Sequence, residues 1–418
     1  MGDPAVLVVG AGPAGLTAAH ELAHRGVGPV WVVDREAVSG GVPRHCDHTG
    51  FGLQDLHRTM RGPTYARHLT ARAVDAGAVL RLLTTVAGVA PDGAATLVGP
   101  GGLEVVHPDV VLLATGARER PRAARLVPGD RPAGVFTTGQ LQQWVLLADL
   151  PVGRRAVVVG AEHVAYSAVL TLRHAGVTTV AMVTDLPRHQ TVAAFAWVTR
   201  LGLRVPLRTS SRVATLLGHG RLEAVDIEDL ATGRVDRVEA DTIVFTGDWV
   251  PDHELARRMG VATDPATGGP RTDGWGRTSR AGVVAAGNLV HPGETASIAA
   301  LGGRAAGRRL AQDFAHGRTR DFAHGARPTA GTVTVTVAVD RPLTSVVPVL
   351  VDPGDLPGRL LVRTATFTGR RLVVARQGGR EIGRARLRHS VSHRSLSVPG
   401  RVLAEMTSEG GQVELTLR

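Results

Sequence analysis

A glycine-rich turn, GAGPAG at residues 10–15, lies between a short apolar run (AVLVV, 5–9) and a helical pattern. Glycines at that spacing suit a bound pyrophosphate. Gly10 permits the tight turn, Gly12 lets backbone approach the phosphates, and Gly15 lets the helix pack on the strand. The helix N-terminus then presents N–H groups and the positive end of its dipole to the anion. Asp34, 24 positions beyond Gly10, ends a second apolar run, VWVV at 30–33, where a carboxylate accepts ribose hydroxyls. Strand, turn, helix and acid agree on a dinucleotide site.

The same order recurs downstream. AVVVGAEHVAYSAVLTLRHAGVTTVAMVTD at 156–185 reads as strand, turn, helix and strand, an internal repeat of the first unit. Its fingerprint is altered. Gly160 is kept, but Glu162 stands where the second glycine should meet phosphate, and Ala165 replaces the third. A carboxylate repels pyrophosphate, and its Cβ obstructs close backbone approach. Asp185 remains as a candidate ribose ligand. Two readings stand: a re-shaped NAD(P)H site using Gly160, Glu162 and Asp185, or a purely structural domain.

Cys46 is the only cysteine and lies between His45 and His48. Charged imidazoles lower a thiol pKa and raise its thiolate fraction, which makes Cys46, His45 and His48 the candidate catalytic group. A lone cysteine cycles only through a sulfenate or a mixed disulfide. The other reading is an inert, buried thiol, the commoner fate of a free cysteine. One cysteine excludes an internal disulfide and any multi-cysteine zinc or iron–sulfur site, and no metal site is expected.

The elements that must position these residues are α/β in pattern. Beyond the two βαβ units come a helical stretch near 63–76, a buried strand at 109–117, strands at 241–247 and 282–288, and a helix over about 296–314. The polar segment 313–328 holds the pentapeptide DFAHG twice and reads as a helix end and linker. Beyond it, alternating runs such as TVTVTVAV, LLVRTATF and QVELTLR predict a small all-β domain of sandwich or barrel type.

Composition narrows the function classes. The 418 residues carry a formal net charge of +11, and all 48 basic residues are arginine. Without lysine there is no Schiff-base or pyridoxal chemistry. The arginines are scattered and aromatics are 3% of the chain, so nucleic-acid binding is not expected. No apolar run approaches the ~20 residues of a membrane span. No basic region precedes the first apolar run, and a cytoplasmic protein is expected.

Four features in order, GAGPAG with Asp34, LLATG at 112–116, the second βαβ unit and TSRAGVVAAGN at 278–288, make the chain resemble the pyridine nucleotide–disulfide oxidoreductase superfamily. The resemblance implies two Rossmann-like dinucleotide-binding domains, the second inserted in the first, plus the small C-terminal all-β domain. The implied boundaries are 1–150 and 248–315 for FAD, 151–247 for the NAD(P)-binding-like domain, 316–329 for the linker and 330–418 for the β domain. It also implies FAD held by Gly10, Gly12, Pro13, Ala14, Gly15, Asp34, Arg35, Gly41, Thr115, Gly116, Gly287, Asn288 and Thr295. The superfamily's last motif usually ends in Gly-Asp, whose acid bonds the flavin ribityl chain. Here it is Gly287-Asn288, the only asparagine in the chain, and an amide still bonds a hydroxyl. In the superfamily, redox-active cysteines fall near Cys46. His291, Glu294 and Thr295 follow the flavin motif and are candidates to line the pocket as acid or base.

GGVPRHCDHTGFGL at 40–53, TGARERPR at 115–122 and GDWVPDHEL at 247–255 look like a bacterial group of FAD-binding subunits. That group is found with partner flavoproteins of glycerol-3-phosphate, amine or amino-acid dehydrogenase type. Three functions remain: an FAD oxidoreductase passing electrons from NAD(P)H to a small-molecule acceptor, an FAD subunit of a hetero-oligomeric dehydrogenase, and a flavin-bound scaffold.

Overall fold

In the computed structural model, which describes residues 2–191, 205–317, 334–387 and 389–418, the chain opens with β1 (Val6–Val9), α1 (Pro13–His24) and β2 (Val30–Val33). Both strands are buried along their whole length, as unbroken apolar runs require in a parallel sheet covered on two faces. Pro13 starts α1 with its φ already helical and no N–H to leave unmet. Next come α2 (Gly62–Asp75), β3 (Val79–Arg81), the antiparallel meander β4 (Thr85–Val89), β5 (Ala95–Gly99) and β6 (Gly102–Val106), and the buried β7 (Val110–Leu113).

The second run holds β8 (Ala117–Glu119), β9 (Val135–Thr137), α3 (Thr138–Leu146), β10 (Arg155–Val159), α4 (His163–His174), β11 (Thr178–Val183) and β12 (Leu207–Arg208). A second meander, β13 (Ser211–Leu217), β14 (Ala224–Asp229) and β15 (Val235–Glu239), precedes β16 (Thr242–Phe245) and β17 (Trp249–Pro251). The chain then passes through α5 (Glu254–Arg258) and β18 (Val283–Ala285) into α6 (Ala296–Ala315). The first parallel sheet has the order β18-β7-β1-β2-β3, and the second β12-β11-β10-β16-β9. Because β18 pairs with β7, the chain leaves the first sheet, builds the second and returns. The second Rossmann-like unit is therefore inserted in the first.

Residues 335 onward form β19 (Val335–Val339), β20 (Leu343–Val347), β21 (Leu350–Val351), β22 (Arg359–Thr364), β23 (Arg371–Gln377), β24 (Arg380–Leu387), β25 (Ser395–Pro399) and β26 (Val413–Leu417). Two sheets, β21-β19-β26-β23-β24 and β20-β22-β25, close on one core that includes Val337, Leu360, Val373 and Leu415. The first DFAHG copy ends α6. The second copy, and most of the 316–329 linker, lie outside the described residues.

The first unit depends on α6 lying against α1. Small residues permit it: a Cβ on Gly303 would stand 2.0 Å from the backbone oxygen of Ala14, and one on Gly307 2.7 Å from that of Ala18. Buried Glu21 of α1 ties the pair together, 3.0 Å from Arg308 and 3.5 Å from Arg304. Ala14 belongs to the fingerprint turn, so this contact holds the turn as well as the helix. Gly303→Ala should therefore push the helices apart, lowering stability by about 1–3 kcal/mol, the usual range for overpacking. Loss of FAD content should accompany the lower melting temperature. Unchanged melting and flavin content would show that the helix contact does not hold the turn.

Candidate functional site

The first turn is built to receive an anion. Gly12 caps α1 without any side-chain acceptor, and a Cβ placed there would meet nothing within 4 Å. The first intrahelical bond at this end runs from the N–H of Leu16 to the Gly12 carbonyl at 2.9 Å. The earlier N–H groups are thus left for a ligand. Gly15 is required by contact: its Cβ would stand 1.9 Å from the Gly10 carbonyl oxygen. Asp34 is fixed by backbone, its Oδ2 accepting from Ala11 N–H at 2.7 Å and its Oδ1 from Glu36 N–H at 2.9 Å. Gly41 crosses directly over the turn, where a Cβ would come 2.9 Å from the Gly12 Cα. Open space at Gly12, an uncapped helix and an oriented acid fit the pyrophosphate and ribose of FAD.

The other residues named for FAD are placed around the ends of this sheet. Thr115 donates through Oγ1 to the Asp252 carbonyl at 2.7 Å, and Gly116 O accepts from Asp252 N–H at 2.9 Å. Arg35 is exposed, 3.9 Å from Asp252. Thr295 caps α6, its hydroxyl accepting from Ile298 N–H. Asn288 clamps a loop: its Oδ1 accepts from Glu294 N–H at 2.9 Å and its Nδ2 donates to the Glu294 carbonyl at 3.1 Å. An aspartate could accept that N–H but could not donate to the carbonyl. This is a physical reason for asparagine where the superfamily usually has an acid.

Matching hydrogen bonds align the second unit on the first. Gly10 N–H donates to Val33 O and Gly160 N–H to Val183 O, both at 2.8 Å. Gly40 N–H reaches Ala11 O at 2.8 Å, and Gln190 N–H reaches Ala161 O at 2.9 Å. Glu162 therefore occupies the place of Gly12, as the spacing predicts. Thr184, not Asp185, occupies the place of Asp34, which corrects the ribose-acid reading by one residue. Asp185 is exposed, and no carboxylate stands at the ribose position.

The Glu162 side chain folds back over its own turn. A Cβ on Gly160 would meet its Oε2 at 2.6 Å, and one on Gly247 would meet its Oε1 at 3.1 Å. Burial pushes the carboxyl pKa up, opposed by hydrogen bonds from Thr246 and the 161–162 backbone and by the Arg125 charge. Arg125 is itself held on the Thr246 and Gly247 carbonyls, at 2.9 and 2.7 Å. Nearby Glu119, also buried, accepts from Gly139 N–H at 2.7 Å and is pushed up to about 7, first by burial.

Cys46 faces this second unit. Its Sγ lies 3.3 Å from Oε1 of Gln142 on α3, the atom that also lies 3.3 Å from His45 Nδ1. Gln142 donates onward to Ser167 of α4 at 2.9 Å. Burial pushes the thiol up to about 12 and holds the His45 imidazole below its ordinary value, hence neutral. His48 turns elsewhere, its Nδ1 2.9 Å from the Thr49 carbonyl and its ring against Phe51. The structure thus brings His45 to the thiol but leaves His48 out, and among the described residues no cation is found acting on the thiol. Sequence reasoning had no signal for Gln142, 96 residues away, or for Glu119 and Arg125.

A further buried cluster joins the flavin-motif loop to the β domain. Glu294 lies 2.8 Å from His291 Nδ1 and 2.7 Å from Arg363 of β22, and it accepts from Ser395 of β25. Burial works to raise its pKa, but His291, Arg363 and Ser395 hold it down at about 2.

Two such dinucleotide folds in tandem, the first with an open phosphate turn, define the class. The family model described as pyridine nucleotide-disulphide oxidoreductase matches residues 4–303. The chain belongs to this family and is an FAD-dependent oxidoreductase. It is 31% identical over 274 residues to the sarcosine oxidase subunit alpha of Corynebacterium sp. (strain P-1). That match covers 61% of this chain and 27% of the relative, so the chain spans about a quarter of that relative's length. The thioredoxin reductase of T. acidophilum has a TM-score of 0.64 at 22% identity, covering 75% of this chain and 100% of that one. For the L-proline dehydrogenase of P. horikoshii the TM-score is 0.58 at 18% identity, covering 79% and 60%. At these identities the structural likeness shows the fold. Among the described residues, no helix is long and apolar enough to cross a membrane.

Glu119 gives a pH signature. Its pKa rises from the ordinary 4.5 to about 7 on folding, so between those values the folded protein keeps a proton that the unfolded chain has lost. Stability should fall as pH rises through this window and level off above it, by on the order of 3 kcal/mol at most. Glu119→Gln mimics the protonated acid and should remove that fall, read from denaturant midpoints at pH 5 and 8. An identical pH dependence in the variant would place the proton elsewhere.

Proposed function

We propose that this chain is the FAD-carrying subunit of a hetero-oligomeric amine or amino-acid dehydrogenase, and that its second Rossmann unit takes no nicotinamide. The observation that carries this reading is the Glu162 carboxyl, folded into the turn where a second pyrophosphate would lie. A bound anion would have to displace it, and an ionised carboxylate there would repel one. Thr184 at the ribose position supplies no carboxylate for the ribose hydroxyls of NAD. The relative named as a sarcosine oxidase subunit supports a multi-subunit assembly that acts on an amine.

FAD, when bound, supplies two-electron chemistry at its ring. The chain's own residues have positioning roles. The α1 N-terminus and Gly12 hold the pyrophosphate, Asp34 the ribose, and Asn288 fixes the loop leading into α6. Gly41, Thr115, Gly116, Gly287 and Thr295 complete the cofactor's surroundings in this reading. Cys46 is a packing residue that seats the 40–46 loop on Gln142, with a thiol too basic to act as a nucleophile near neutral pH.

The competing reading, electron entry from NAD(P)H, is decided by stopped-flow mixing under anaerobic conditions. Wild-type flavin should stay oxidised with excess NADH or NADPH for many seconds. Glu162→Gly, which removes both charge and side chain, should bring reduction at least tenfold faster. Reduction of the wild type at ordinary turnover rates, on the order of 1–10³ s⁻¹, would establish the nicotinamide reading and reject this one.

A further inference from the structure

Between α6, the 272–276 loop and the β domain lies a pocket of about 130 Å³. For scale, an apolar cavity of about 150 Å³ accepts a benzene ring, whereas one water needs only about 10–15 Å³. Its walls are mostly small or apolar, with Ala286 and Gly287 of the flavin motif on one side and Val347, Pro348 and Leu361 of the β domain on another. Two lining residues carry a buried ring nitrogen with no partner: Nε2 of His291 and Nε1 of Trp275. Unpartnered buried polar atoms are rare, and each costs about 1–3 kcal/mol.

Both rings are held in place. Nδ1 of His291 lies 2.8 Å from Glu294 Oε1, and that carboxylate is in turn bound by Arg363 and Ser395. His291 is 3% exposed and burial lowers its pKa, so the imidazole is neutral and its one N–H donates to Glu294. Nε2 is left as an acceptor. The Trp275 ring lies under Arg309, whose guanidinium carbon is 4.9 Å from the ring centroid. Its indole N–H is a donor only. One acceptor and one donor are therefore left unpaired at this pocket, whose two lining carboxylates, Asp273 and Glu294, are already paired with Arg277 and Arg363. Neither ring carries charge, and a buried ion without a partner is strongly disfavoured.

We propose that this pocket binds a small uncharged molecule with a hydrogen-bond donor and an acceptor, such as a carboxamide, its donor received by His291 Nε2 and its acceptor by the Trp275 N–H. The site is separate from the α1 turn and does not depend on which donor reduces the flavin. Its wall at Ala286–Gly287 places the ligand beside the flavin motif, and its wall at Leu361 makes the β domain part of the site.

The test is calorimetric titration of the FAD-loaded protein with isobutyramide. Saturable binding of one molecule per chain is expected. Methyl isopropyl ketone, of the same shape but without the N–H donor, should bind at least fivefold more weakly. Isobutyrate, which is charged and lacks a donor, should also bind at least fivefold more weakly. Trp275→Phe keeps the ring under Arg309 but loses the N–H, and should weaken isobutyramide at least fivefold with FAD content unchanged. The ligand series on wild-type protein reads the same chemistry if a variant folds poorly. No saturable binding, equal binding of amide and ketone, or release of FAD by the amide would each overturn the proposal.

Discussion

The first N–H groups of a helix have no partner within the helix, and in a buried turn something must accept from them. In neither unit does a side chain meet that demand, and the two differ in what stands at the turn. In the first, the turn before α1 offers no side chain and leaves open space at Gly12, so an external anion must serve. In the second, Glu162 makes no side-chain cap to α4, but its carboxyl fills the turn, lying over Gly160 and Gly247 against the 161–162 backbone. The same backbone path, fixed by the same Gly-to-Val hydrogen bond at 2.8 Å, carries opposite chemistry.

The remaining polar interior follows from this arrangement. The carboxyl in the second turn has Thr246, Arg125 and Glu119 around it, and burial raises the pKa of Cys46, opposed by the Gln142 hydrogen bond and assisted more weakly by Glu119. The first unit's 40–46 loop is seated on the second through Gln142 and Ser167. On the far side, Asn288 and Glu294 fix the loop into α6 and join it to the β domain through Arg363 and Ser395. The flavin-binding unit is thus braced from two directions by polar contacts.

Much of this was legible in the sequence where local pattern dictates structure. The buried strands, the Gly-rich turns, the repeat, the α6 helix and the alternating C-terminal runs all follow from periodicity and glycine placement. The altered residue at 162 was visible as a departure from that pattern. The placement of Thr184 rather than Asp185 was itself legible, since the 24 positions from Gly10 to Asp34 lead from Gly160 to residue 184. What was not legible depends on distance or pairing. The thiol's inertness depends on Gln142, which lies far along the chain. β20, β24 and β25 lay outside the alternating runs: prolines flank β20 and end β25, glycine and arginines break β24, and pairing overrides local pattern. Trp275 gave no signal, since one aromatic in a glycine-rich loop is unremarkable until the β domain packs beside it.

A crystal structure of the FAD-loaded protein grown with saturating NADH tests most directly whether the two turns take different occupants. Pyrophosphate density is expected at Gly12 and the α1 N-terminus, with the Glu162 carboxyl still lying over Gly160 and no nucleotide at α4. A nicotinamide dinucleotide bound at the α4 N-terminus, with Glu162 swung out of the turn, would contradict this expectation.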